Sequence, residues 1–160
     1  MKILVVSDTH FRVNSFIKEL KKHKDAAMIF HLGDMVVDAY EIQKHTDIPM
    51  RIVRGNNDYF SDRAPWSDIV RIKGHKILLT HGHNERVKLG ISTLYYKAKD
   101  AECDLVFYGH THIYHDEVIE GIRIMNPGSA GYDRGGDYES YIVANITEDS
   151  VEIERVRLER

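Results

Sequence analysis

Two imidazoles stand one residue apart in Gly109-His110-Thr111-His112, directly after an apolar run. Two such side chains at the end of a strand make a ready chelate. Other apolar runs also end in polar clusters: Asp8 with His10, Gly33-Asp34, Gly55-Asn56-Asn57-Asp58, His81 with His83, and Asn126-Pro127-Gly128-Ser129. Singly, each has a plain reading. Asp-x-His suits a turn or cap, Gly-Asp a turn, and Gly-Asn-Asn-Asp a tight turn whose Gly and Asn supply positive φ. Lone histidines such as His31 and His75 read as satisfied or solvated side chains. The combination carries more. Asp8, His10, Asp34, Asn56, His81, His110 and His112 are mixed oxygen and nitrogen donors, too many for one tetrahedral ion and without the thiolates of a structural zinc site. Two ions with open positions for water fit better, sharing a carboxylate and lying roughly 3.5–4 Å apart. Such donors suit manganese, iron, zinc, cobalt or nickel over magnesium or calcium.

The elements that must bring these residues together are also visible. "KILVVSD", "AAMIFHLGD", "MRIVRGNND", "KILLTHGH", "DLVFYGHTH" and "IRIMNPGS" are continuous apolar runs. That pattern predicts strands covered on both faces. Between several of them lies helical periodicity. "NSFIKELKKH" sets Phe16, Ile17 and Leu20 on one face, with Asn14 or Ser15 as the expected N-cap. "VDAYEIQKH" predicts a shorter helix, and residues 87–101 place Val87, Ile91, Leu94, Tyr95 and Ala98 on one face. The tail alternates apolar and polar residues about "TEDS", as in an edge hairpin. The expectation is an α/β protein with two packed sheets. In open α/β sheets ligands sit beyond the carboxyl ends of the strands, where these clusters fall.

Composition bounds the rest. A chain of 160 residues, 42 % hydrophobic, suits one domain over residues 1–160. A formal net charge of −3 and no basic stripe argue against nucleic acid as partner and against an anionic membrane. No run approaches the length of a membrane span. The apolar start is too short for a signal peptide and is expected to be the first core strand. A single cysteine, Cys103, rules out an internal disulfide framework, suits a reducing cytoplasm and is expected to be buried.

The order Asp-x-His, Gly-Asp, Gly-Asn-x-Asp, His, Gly-His-x-His resembles the calcineurin-like metallophosphoesterase superfamily. "VRGNND" and "NPGS" are similar to its small single-domain phosphodiesterase branch of bacteria and archaea, whose scaffold the retromer subunit of eukaryotes shares. The resemblance runs from Ser7 to Ser129. It implies a four-layer α/β/β/α sandwich of two packed mixed sheets, with a dinuclear site at the C-terminal ends of the strands. Asp8, His10 and His112 would hold one ion, and Asn56, His81 and His110 the other. Asp34 would bridge them, as would a water or hydroxide that attacks phosphorus. Manganese is the first choice of metal.

Where many relatives carry Gly-Asn-His, this chain has Asn57, whose amide cannot deliver a proton at neutral pH. His83 is the candidate replacement acid, Asp58 the candidate for orienting Asn56 or a neighbour, and Arg54 and Arg134 candidates for meeting a phosphate oxygen. Tyr59, Phe60 and Trp66 are candidates for walling a base or aryl pocket. The leading expectation is a phosphodiesterase acting on small or nucleotide-like substrates. A phosphomonoesterase and a non-catalytic interaction scaffold of the same fold stay open, as does self-association.

Overall fold

The computed structural model describes residues 1–159. Two five-stranded mixed sheets pack face to face. The first contains β1 (Lys2–Val6), β2 (Met28–His31), β3 (Met50–Ile52), β9 (Ser140–Ile146) and β10 (Val151–Arg157), in the order β10-β9-β1-β2-β3. The second contains β4 (Ser67–Ile72), β5 (His75–Thr80), β6 (Leu105–Phe107), β7 (Tyr114–Ile119) and β8 (Ile122–Pro127), in the order β4-β5-β6-β8-β7. In each sheet three adjacent strands run parallel: β1, β2 and the edge strand β3 in one, the central β5, β6 and β8 in the other.

The continuous apolar runs have the physical cause expected of them. Along β1, Ile3 and Val5 point between the sheets with Phe30, Phe107, Ile77 and Met125. Leu4 and Val6 point outward against Phe16 and Leu20 of α1 (Asn14–Leu20) and Ile42 of α2 (Val36–Gln43). On the second sheet, Leu78, Val106 and Ile124 face outward against Leu94, Tyr95 and Ala98 of α3 (Ser92–Asp100). A strand with helices on one side and a second sheet on the other has no polar face to show, so alternation vanishes. The four layers follow.

Two expectations need correction. Helix α1 is capped by Val13, with no side-chain cap from Asn14 or Ser15. The helix expected over residues 87–101 is two pieces: a 3-10 turn at Val87–Leu89, then Gly90 at φ +131°, then α3. Glycine takes that backbone freely and so breaks the helix there. Val87, Leu94, Tyr95 and Ala98 are nonetheless buried together. The tail is the expected edge hairpin, with β10 outermost and β9 buried and paired with β1. Strands β4 and β7 went unforeseen. Both are edges, and β7 shows mostly polar or exposed residues.

Phe107 is fully buried between the sheets and ends the strand that leads into Gly109. Phe107→Ala is expected to cost about 3–5 kcal/mol. Urea denaturation should show a lower midpoint at unchanged slope. A loss below about 1 kcal/mol would mean that the inter-sheet core is not packed as described.

Candidate metal centre

The loops after the parallel strands meet at one pole and are tied by backbone hydrogen bonds. Asp8 N donates to Gly33 O (2.9 Å), Thr9 N to Asp34 O (2.7 Å), Gly109 N to His81 O (3.0 Å) and Ala130 N to Ser7 O (3.0 Å). The approach is close enough to demand glycine, most tightly at Gly55 and Gly109. A Cβ on Gly55 would lie 1.9 Å from Asp34 Oδ1, and one on Gly109 would lie 2.0 Å from Ser7 Oγ and 2.7 Å from Asp8 Oδ2.

Asp8 sits at the middle, fully buried. Its Oδ2 accepts from Ser7 Oγ (2.5 Å) and from His110 N (3.0 Å). Its Oδ1 is buried and has no hydrogen-bond partner. Three imidazole Nε2 atoms face that oxygen, at 3.1 Å (His112), 3.8 Å (His81) and 3.9 Å (His10). Asp34 Oδ2 lies 3.6 Å from His81 Nε2 and 3.9 Å from His10 Nε2, so this carboxylate spans both sides. Two donor groups result: Asp8 with His10 and His112, and Asp8 with Asp34 and His81. Asn56 Oδ1 is 3.2 Å from His81 Nε2, and the His110 ring is 5.0 Å from that of His81. All seven sequence-predicted donors are therefore at one pole.

Two tautomers are set by backbone carbonyls. His81 Nδ1 donates to Leu32 O and His112 Nδ1 to Tyr132 O, both at 2.7 Å. Each leaves the Nε2 lone pair turned inward, the arrangement that orients imidazole ligands in metal sites. Charge agrees. Burial would raise Asp8, but the His81 and His112 rings and the Ser7 hydroxyl outweigh it and hold the carboxyl down at about 2. Burial first, then the His81 ring and Lys88, lowers His110 to about 4. Burial likewise lowers His10 against the pull of Asp8 and Asp34. Ionised carboxylate and neutral imidazole are the forms a cation needs. An unpartnered buried carboxylate oxygen ringed by imidazole nitrogens fits a metal cation.

The remaining sequence-predicted residues fall as follows. Asn57 donates from Nδ2 to Asp34 Oδ2 (2.6 Å) and from its backbone N to Oδ1 (3.1 Å). Asp58 accepts from Val36 N (2.7 Å) and Gly55 N (2.8 Å), so it fixes the loop beside Asn56 and not the Asn56 amide. His83 lies with its ring 5.4 Å from His81 and 6.0 Å from His110, its Nδ1 buried and unpartnered. The Arg54 guanidinium stacks on Trp66 (3.9 Å) and donates to Ser61 O. Trp66 packs against His83, while Tyr59 and Phe60 are exposed. Arg134 borders the cavity formed by His10, His112 and Tyr132.

Several supports escaped the sequence reading. His31 is wholly buried, accepting from Gly33 N at Nδ1 and meeting Thr9 Oγ1 at Nε2, both at 3.3 Å; Thr9 Oγ1 in turn donates to Asp38 (2.6 Å). Ser129 Oγ donates to Asp8 O (2.7 Å) and accepts from Tyr132 N (2.7 Å), which places the carbonyl that orients His112. Asn126 Nδ2 donates to Gly109 O (2.9 Å). "NPGS" was the available signal for the last two.

The Calcineurin-like phosphoesterase superfamily domain matches residues 1–149. A probable metallophosphoesterase of Bacillus subtilis is 30 % identical over 156 residues, covering 96 % of this chain and 89 % of that protein. A phosphodiesterase of Methanocaldococcus jannaschii is 29 % identical over 150 residues, covering 82 % and 86 %. The crystal structure of a predicted phosphoesterase from Streptococcus pneumoniae superposes with a TM-score of 0.83 at 25 % identity, covering 98 % of this chain and 88 % of that one.

Burial lowers His31 from 6.5 to about 4. A histidine with a depressed folded pKa draws protons to the unfolded chain first, so stability falls as pH drops from 6.5 to about 4, by about 3 kcal/mol. Asp8 acts the same way in a lower window, between 3.8 and about 2. Urea midpoints of metal-free protein should therefore fall between pH 7 and pH 4, and His31→Gln should flatten that slope. An unchanged slope would remove His31 from the account.

Proposed function

The chain belongs to the calcineurin-like phosphoesterase superfamily, and we propose that it is a dinuclear metal-dependent phosphodiesterase acting on small or nucleotide-like phosphodiesters. The observation that carries this reading is the buried Asp8 carboxylate, with one oxygen saturated by donors and the other bare among imidazoles. Asp8, His10 and His112 would hold one ion, Asn56, His81 and His110 the second, and Asp34 would span them. Manganese is the first choice, with nickel, iron, cobalt or zinc as alternatives. When bound, such a pair supplies a solvent nucleophile at neutral pH and neutralises phosphate charge. The residues are read as one domain working in the cytoplasm, where Cys103 would stay reduced.

The chain's own groups do the rest. The carbonyls of Leu32 and Tyr132 keep His81 and His112 in the ligating tautomer. Asn57 steadies Asp34 but has no proton to give a leaving alkoxide. A departing group that is already stable as an anion suffers least from that lack. The naming of the M. jannaschii relative as a phosphodiesterase supports the diesterase reading. His83, with an unpartnered ring nitrogen beside the centre, is the residue proposed to assist poorer leaving groups. Arg54 is too engaged with Trp66 and Ser61 to be first choice for substrate, which leaves Arg134.

Purified protein supplied with manganese should hydrolyse bis-p-nitrophenyl phosphate, and chelation should abolish turnover. No turnover with manganese, nickel, iron, cobalt or zinc would favour a scaffold role. Asn57→His should raise hydrolysis of an alkyl monoester such as glycerol 3-phosphate relative to bis-p-nitrophenyl phosphate, whose leaving group needs no proton, by up to about 10²-fold, the low end of general acid catalysis. An unchanged ratio would place the proton donor elsewhere.

A further inference from the structure

Beside the centre lies a second, larger cavity of about 650 Å³, between the segment around Gly90 and the start of β7. Val87, Ile91, Tyr108 and Ile113 give it apolar wall, and Lys88 and Arg134 give it positive charge. Its acidic lining residue, Glu117, is taken up by His115 Nε2 at 3.0 Å, and His115 Nδ1 is taken up by the Tyr108 hydroxyl at 3.0 Å. The side chains of Lys88 and Arg134 have no hydrogen bond or ion pair among the described residues; Arg134 is tied only through its backbone N, to His112 O (3.2 Å). Arg12, by contrast, is spent on Gly131 O and the Tyr132 ring and hydroxyl.

Three links join this cavity to the metal donors. Thr111, on its wall, is the residue between His110 and His112. Arg134 also borders the cavity of about 370 Å³ floored by His10 and His112. Lys88 is close enough for its charge to act on His110. A volume within the ordinary range for small ligands, with apolar walls and two cationic residues in its lining, selects an apolar or planar body that carries its own anion.

We propose that this cavity binds the half of the diester that stays on phosphorus, and that this half is a nucleoside bearing a second phosphate. Its base would lie against Val87, Ile91 and Ile113, and its second phosphate between Lys88 and Arg134. The proposal rests on the phosphodiesterase reading of the centre. In the reaction water adds at phosphorus, the P–O bond to the departing alcohol breaks, and the alcohol oxygen leaves with a proton. The second phosphate is untouched and serves only in binding.

The test compares two esters with one leaving group, thymidine 5′-(p-nitrophenyl phosphate) with and without a 3′-phosphate. The phosphorylated ester is expected to have at least a tenfold higher kcat/KM, chiefly through KM. Lys88→Gln and Arg134→Gln are each expected to cut that ratio several-fold. Equal kcat/KM for the two esters, or a ratio indifferent to both substitutions, would overturn the proposal. A binding readout separates the two claims. Thymidine 3′,5′-bisphosphate, titrated into ¹⁵N-labelled protein with zinc and without it, should shift the amides of Gly90 and Ile113. If neither those esters nor bis-p-nitrophenyl phosphate is hydrolysed, the activity reading fails and the amide shifts alone decide the cavity. Unmoved Gly90 and Ile113 amides would then refute it.

Discussion

Burying a carboxylate is costly, and burying one with an unpaired oxygen is costlier still. Asp8 does this at the point where both sheets end. One oxygen is held by Ser7 and by the backbone of His110, so the group cannot turn away to find another partner. The other is fixed in front of three imidazole nitrogens. A cation would complete such an arrangement. The backbone ties among the loops, the glycines beneath them and the carbonyls behind the rings all serve to hold it in place.

The backbone carries a related cost. Asp8, His10, Asp34, His110 and His112 all have positive φ, between 38° and 70°. Residues with a Cβ avoid that region, at about 1–2 kcal/mol each. Five such residues persist only where the surroundings leave no alternative. The packed inter-sheet core offsets the strain from below, and the loop-to-loop hydrogen bonds fix it from above. A sharp reversal at each strand end is what turns these side chains back towards a common point.

Much of this was legible in the sequence because the chemistry sits in side chains. Imidazoles and carboxylates placed directly after apolar runs announce both the strands and the pole where they end. The groups that orient them are a different matter. Leu32 O and Tyr132 O are backbone carbonyls, which every residue owns, so nothing in the letters marks them out. His31 was read as a satisfied or solvated histidine, and it is satisfied, yet its partners Thr9 and Gly33 lie on the two loops that carry Asp8 and Asp34. Only the fold reveals that link. Strand β7 was invisible for a physical reason as well, since none of its residues is buried and the apolar signature is lost with them; β4 buries only Val70 and Ile72. Gly90 was present to be noticed, but helical periodicity on both sides of it masked the break.

The most direct test is anomalous diffraction from a crystal soaked in manganese. The account predicts two peaks between the sheets' ends, with Asp8 and His112 against one, His81 and Asn56 against the other, and Asp34 touching both. Absence of any peak at saturating manganese, or peaks elsewhere on the surface with Asp8 Oδ1 still bare, would contradict it.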